Sequence, residues 1–350
     1  MDNNKRLDYF DIAKGIGIIL VIIAHIEYVD QGIRNYIVSF HMPLFFIISG
    51  MLMYITGEKE RPVKNLLLKK LRRIMLVYLV FSVIYLIIDV IYYYVTGIGP
   101  GWNGVRADAA DSVMLYGISV LWFLPALFFG EVIFLVLLKL IKNDFVSVLC
   151  TFILMAVVFI PLRYNQNHFV MTFVRFFICA AFVSVGYILQ KLCRSDKIQL
   201  FLSRLHMTRL FYAAAGLLLL VIIFSTERLN GTVDMHFSVY GNIFLYIITS
   251  ILGSIGIILL SCAIAGTGSS FISKTLIFYG KNSLTVMITH INFYILYAAE
   301  VLSFHFSKYI SHAKLIIFNI MIVLFVLAAE IPVIIIYDLI TKKMPHPRNK

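Results

Sequence analysis

Apolar runs recur over nearly the whole length of the chain, separated by short polar stretches. A helix needs about 20 mostly apolar residues to cross a bilayer, and ten such segments fit. They lie at roughly 11–28, 37–55, 74–96, 118–139 and 145–162, then 171–190, 209–225, 240–265, 283–304 and 315–340. The fourth and fifth are divided only by Lys139, Lys142, Asn143 and Asp144. The expected fold class is all-α: a polytopic integral membrane protein of about ten helices. The polar stretches are too short for a soluble domain. One transmembrane domain over 1–345, followed by a short basic tail at 346–350, is the expected organisation.

Composition agrees, with 61% hydrophobic and 14% charged residues. Charge then orients the segments, because cytoplasmic loops carry an excess of Lys and Arg. With the N-terminus inside, 23 of the 30 basic residues fall in inside segments. The other seven are Arg34, Arg106, Arg163, Arg175, Arg228, Lys308 and Lys314. Both termini are therefore expected to be cytoplasmic. The net charge of +12 has the same origin, so nucleic acid is not an expected partner. The first apolar run leads into a second span, not a cleavage site, and reads as a retained anchor. Four cysteines without paired or metal-like spacing read as packing residues, and no metal is expected. The expected location is the cell membrane as a multi-pass protein, with a bacterial cytoplasmic membrane as its setting.

The chemistry concentrates in the first two spans. Residues 11 to 25 read D-I-A-K-G-I-G-I-I-L-V-I-I-A-H, and residues 39 to 50 read S-F-H-M-P-L-F-F-I-I-S-G. Ionisable groups at membrane depth cost several kcal/mol, so they persist mostly where they pair, conduct or catalyse. Eleven residues at 100° each return within about 20° of the starting direction, so Asp11, Lys14 and His25 share one helix face. Lys14 and His25 are separated by roughly 16 Å along that face. His41, at the start of an antiparallel second span, lies at a depth similar to that of His25. Two imidazoles at one depth make an acid/base site, against the plainer reading of histidines that only pack helices. Asp11 and Lys14 either form an ion pair, as their spacing of three permits, or leave Lys14 to bind a phosphate.

These residues resemble the N-terminal signature of the acyltransferase family 3 membrane proteins, particularly the fucose 4-O-acetylase-like branch. Three later stretches agree: L-L-L-K-K-L-R-R before the third span, L-W-F-L-P-A-L-F-F at 121–129, and Y-G-K-N-S-L-T-V-M-I-T-H at 279–290. The resemblance implies a ten-helix enzyme that takes an acyl group, usually acetyl, from cytoplasmic acyl-CoA. It delivers that group to a hydroxyl of an extracytoplasmic or lipid-linked glycan. Acetyl-CoA is then the acyl donor, with the glycan and membrane lipids as partners. Many members carry Arg where this chain has Lys14, and Lys lacks the planar fork that binds phosphate bidentately.

Within that reading His25 is the expected general base, with transient acyl carriage as the alternative. Arg72 and Arg73, beside Lys69 and Lys70, suit a pyrophosphate, although a lipid-contacting anchor needs the same residues. Lys281, Asn282 and Ser283 would offer a helix N-terminus to an anion, and His290 would line the same cavity if that helix is continuous. Trp122 is either an interfacial aromatic or a platform for a sugar. Of the acids Glu131, Asp89, Glu300 and Glu330, the expected site member is Glu131. A secondary transporter would also bury ionisable groups, but its internal repeats are not visible in this chain.

Overall fold

The computed structural model describes residues 8–97, 101–162, 164–204, 208–266, 270–307 and 315–343. The basic tail at 346–350, and Arg163, Lys308 and Lys314 of the charge count, lie outside the described residues. Helix α1 spans Asp8–His25, α2 Gln31–Val38 and α3 His41–Ile55. Helix α4 (Val63–Lys70) passes through a wide π-type turn at Leu71–Met75 into α5 (Leu76–Thr96). Then come α6 (Gly101–Val113), α7 (Phe123–Leu140), α8 (Asp144–Leu162), α9 (His168–Cys193) and α10 (Asp196–Arg204). Helices α11 (Arg209–Asn230), α12 (Ile243–Ala265), α13 (Phe271–Lys281), α14 (Ser283–Thr289), α15 (Ile295–Ser307) and α16 (Leu315–Lys343) follow. Among the described residues the only β pairing is an isolated bridge between Asp234 and Val239.

Among the described residues, eight helical stretches are long and apolar enough to cross a membrane: Gln31–Ile55, Val63–Thr96, Ser119–Leu140, Asp144–Leu162, His168–Cys193, Arg209–Thr226, Ile243–Ala265 and Ile316–Thr341. Two expected spans are different in kind. Helix α1 carries Asp8, Asp11 and Lys14 within its 18 residues. The apolar pattern predicts a continuous helix over 283–304, and this helix does not form. A helix starts as expected at Ser283, just after Asn282, whose side-chain amide donates to the Phe278 carbonyl at 2.8 Å. At the other end the chain turns over 290–294, with Tyr294 in the left-handed region at φ 58°. The result is two short helices, α14 and α15, in place of one long one.

Helices α3, α7 and α9 lie mostly inside, whereas α5, α8, α11 and α16 are peripheral. Leu76, Leu79, Val83 and Ile87 of α5, three or four residues apart, form an exposed apolar stripe. Such a stripe suits hydrocarbon.

Between helices in lipid there is no hydrophobic drive, so close van der Waals contact matters most, and small residues permit it. Two crossings depend on this. A methyl group at Gly15 would strike the Leu276 carbonyl, and one at Gly280 would strike the Asp11 carbonyl, so α1 lies directly on α13. Gly50 and Gly186 play the same part between α3 and α9, against the Val183 and Ile47 carbonyls. Overpacking a tight contact costs about 1–3 kcal/mol. Gly50→Ala and Gly186→Ala are each expected to lose at least that much, read as a lowered Tm in detergent. Gly266→Ala is the control, because the nearest atom to its added methyl is 3.5 Å away, and it should leave Tm nearly unchanged.

Candidate active site

Two cavities lie along α1. The first, of about 730 Å³, opens beside its N-terminal half and is lined by Asp11, Lys14, Ser49, Glu58, Lys69, Lys70, Arg73, Glu131, Lys281 and Ser283 among others. Asp11 and Lys14 form an ion pair at 2.7 Å while both face the cavity, so pairing and lining are not exclusive. Lys70 is buried and held by Glu131 at 2.6 Å and Glu58 at 2.9 Å. Ser49 of α3 donates a further hydrogen bond to Glu131. Lys69, Arg73 and Lys281 are exposed and make no ion pair among the described residues. The wall therefore contains an ion-paired interior network and three exposed cations. Deeper in, Phe45, Phe123, Leu124 and Met287 make the lining apolar. The combination suits a molecule with a phosphate-bearing head and an apolar end.

The second cavity, of about 490 Å³, lies at the C-terminal end of α1. His25 and His41 line it, with Arg34, Asn35, Trp122, Asp234 and His236. His290 packs behind, its ring 5.2 Å from that of His25 in an edge-on arrangement. Each of these three imidazoles has its Nδ1 beside the carbonyl four residues earlier: His25 to Val21 at 2.8 Å, His41 to Ile37 at 3.0 Å and His290 to Val286 at 2.8 Å. A carbonyl can only accept, so Nδ1 carries the proton and Nε2 keeps its lone pair. Glu330 of α16 lies 2.8 Å from the Thr289 hydroxyl and holds the residue next to His290.

The far wall is aromatic. His236 stacks parallel to Trp122, and Tyr116 stacks on His168 at 3.9 Å. The Arg175 guanidinium is buried over the faces of Tyr116 at 4.4 Å and Trp122 at 5.6 Å, where ring quadrupoles attract its charge. Burial, with Arg175, His168 and His25 adding to it, pushes the His236 imidazole down to about 3. Leu115, Ser119, Ser238 and Tyr294 are the non-glycine residues with positive φ among those described. Of these, Ser119 lines this cavity.

Comparison with known families decides what the two cavities belong to. Residues 7–338 match the family model for acyltransferase family 3, described as an acyltransferase domain. The chain belongs to acyltransferase family 3. Comparison with curated proteins and with solved structures returned no match. Membership implies a membrane acyltransferase, and the cavities show how an acyltransferase family 3 chain arranges its polar residues.

Of the residues expected to bind the donor, Lys14, Arg73, Lys281 and Ser283 line the first cavity, but Arg72 and Asn282 do not. His290 is not on that wall at all. From the end of α14 its ring lies against that of His25, so the expected place on the first cavity's wall gives way to a histidine pair. Of the residues expected to be catalytic, His25 and His41 meet in the second cavity, whereas Asp11 and Glu131 belong to the first. Trp122 faces the second. Lys70, read with its neighbours as a lipid anchor, is instead an interior cation with two carboxylates. Pattern reading passed over Arg34, Asp234, His236 and Met287. The first three sit outside the apolar runs, and Met287 looks like any core residue.

Removing one member of a buried ion pair costs about 3–5 kcal/mol, because the remaining charge is left uncompensated. Lys70→Met is expected to destabilise the acyltransferase by about that amount, and adding Glu131→Gln should recover part of it, both read as Tm in detergent. His236 stays neutral in the fold but takes up a proton near pH 6.5 when unfolded. Its contribution to stability is complete above about pH 6.5 and falls as the pH drops towards 3. His236→Asn should flatten that part of a Tm-versus-pH curve.

Proposed function

We propose that this protein is a membrane-bound O-acyltransferase, with acetyl-CoA as donor and a hydroxyl of an extracytoplasmic or lipid-linked glycan as acceptor. In this reading α1 and the broken segment from α13 to α15 are the two additional crossings that make ten, and both termini are cytoplasmic. The first cavity then opens to the cytoplasm and the second to the opposite side. One observation carries the reading: the same helix presents Lys14 to a cavity with three exposed cations and His25 to a cavity with an aromatic and polar wall.

Lys69, Arg73 and Lys281 hold the CoA phosphates, and the apolar depth of the cavity takes the pantetheine arm and its thioester. His25, with Nδ1 committed to the Val21 carbonyl, uses Nε2 to draw the proton from the acceptor hydroxyl. The hydroxyl oxygen attacks the thioester carbonyl, the carbon–sulfur bond breaks, and the proton passes from Nε2 to the departing thiolate. Trp122 and His236 offer flat faces to a sugar ring, while Arg34, Asn35 and Asp234 offer hydrogen bonds. Lys14 in place of the more frequent Arg supports the fucose 4-O-acetylase-like branch.

The test uses purified protein, radiolabelled acetyl-CoA and candidate glycans. Wild type is expected to transfer label, and His25→Ala to lose about 10²–10⁴ in rate while still binding the donor. Arg73→Ala and Lys281→Ala should weaken donor binding instead. If the wild type neither binds acetyl-CoA nor transfers label, the reading fails, and solute uptake into proteoliposomes becomes the assay to run.

A further inference from the structure

The two cavities are separated by a thin apolar partition, and Met287 lines both of them. On α14 and just beyond it, Ser283 faces the first cavity, Met287 faces both and Ile291 faces the second. Residues four apart share a helix face, so this stripe runs from one cavity to the other. The same step is seen on α3, where Met42 lines the second cavity and Phe45, less than one turn later, the first. It recurs at the start of α7, where Trp122 lines the second cavity and Phe123 the first. The partition is therefore about one helical turn thick, roughly 5 Å.

Its members differ in freedom. Phe123 is stacked on Phe46 at 5.1 Å and meets Phe45 edge-on at 6.0 Å. The Phe45 ring is in turn seated against Gly17 of α1, where a methyl group would crowd it. The two phenylalanines are thus wedged. Met287 is buried in the same apolar cluster, but its unbranched thioether side chain has three rotatable bonds with which to adapt.

We infer that Met287 sets the length of acyl group the enzyme transfers, by forming the movable side of the partition that the acyl end of the thioester must enter. The inference rests on the acyl-transfer reading above. With the CoA phosphates held by the cations of the first cavity, the thioester end points into the apolar depth that Met287 closes. The acceptor oxygen and His25 are on the other side. The new carbon–oxygen bond forms, the carbon–sulfur bond breaks, and the hydroxyl proton moves through His25 Nε2 to CoA thiolate, as before. Only a small acyl group fits beside the side chain while its carbonyl carbon comes within reach of that oxygen. The substrate class is accordingly a short-chain acyl-CoA, and acetyl suits it best.

Competition against radiolabelled acetyl-CoA on the full-length protein in nanodiscs tests this without knowledge of the acceptor. One methylene in an apolar pocket is worth about tenfold or more in discrimination. Wild type is expected to favour acetyl-CoA over hexanoyl-CoA by at least about tenfold, and Met287→Ala to shrink that ratio by about tenfold. Met287→Trp should weaken acetyl-CoA binding by a similar factor, while affinity for CoA itself, which has no acyl group to seat, moves much less. Should Met287→Ala lose CoA binding altogether, and so fail to fold, Met287→Val removes less volume and carries the same measurement. An acyl-length profile identical in wild type and the folded variants would overturn the inference and leave the acyl-transfer reading intact. A wild type that binds no acetyl-CoA would remove both.

Discussion

The close approach of α1 to α13 is the constraint on which the arrangement depends. In a medium as apolar as the helices themselves, contact is won by fitting backbones together. Gly15 and Gly280 let α1 and α13 touch main chain to main chain. That contact brings Asp11 and Lys14 level with Lys281 and Ser283, residues more than 260 positions away, so that one cavity wall is assembled from both ends of the chain. Gly50 and Gly186 fix α3 on α9 in the same way. Helix α3 carries His41 at one end and Ser49 further along, so its placement serves both cavities. A side chain at any of these glycines would separate walls whose polar residues have meaning only together.

Much of this was visible in the residues alone, and the reasons are local. The shared face of Asp11, Lys14 and His25 follows from helical periodicity, and the Asp11–Lys14 pair from a spacing of three. The likeness of 11–50 and 279–290 to acyltransferase family 3 was carried by those same residues. The break at 290–294 was not visible, because hydropathy averages over a window and one left-handed tyrosine hardly changes the mean. The role of Lys70 depends on Glu131, 61 residues later, and no short-range pattern encodes that pairing. His236 lies in a connection without periodicity, and it becomes part of a wall only when Trp122 arrives beside it. Met287 stayed hidden for a different reason: an apolar residue in an apolar run acquires a role only when space opens on both of its sides.

Buried and exposed cations are treated differently. Buried Lys70 is paired with two carboxylates, whereas buried Arg175 is held by aromatic faces and the Thr172 hydroxyl while its Nε and Nη1 have no hydrogen-bond partner. Lys69, Arg73 and Lys281, by contrast, are exposed at the mouth of the first cavity. The interior can therefore stay dry and rigid while the mouth stays attractive to anions.

The histidine tautomers have a consequence for proton movement. Imidazoles aligned between two water-accessible cavities are the usual material of a proton wire, in which a proton enters one ring nitrogen and leaves by the other. In His25, His41 and His290 the second nitrogen is tied to a carbonyl of the preceding helical turn. A proton accepted at Nε2 must leave from Nε2, so the rings can exchange protons with a reacting group but cannot pass them along. Each ring is therefore a separate donor or acceptor at Nε2, and the three together form no relay.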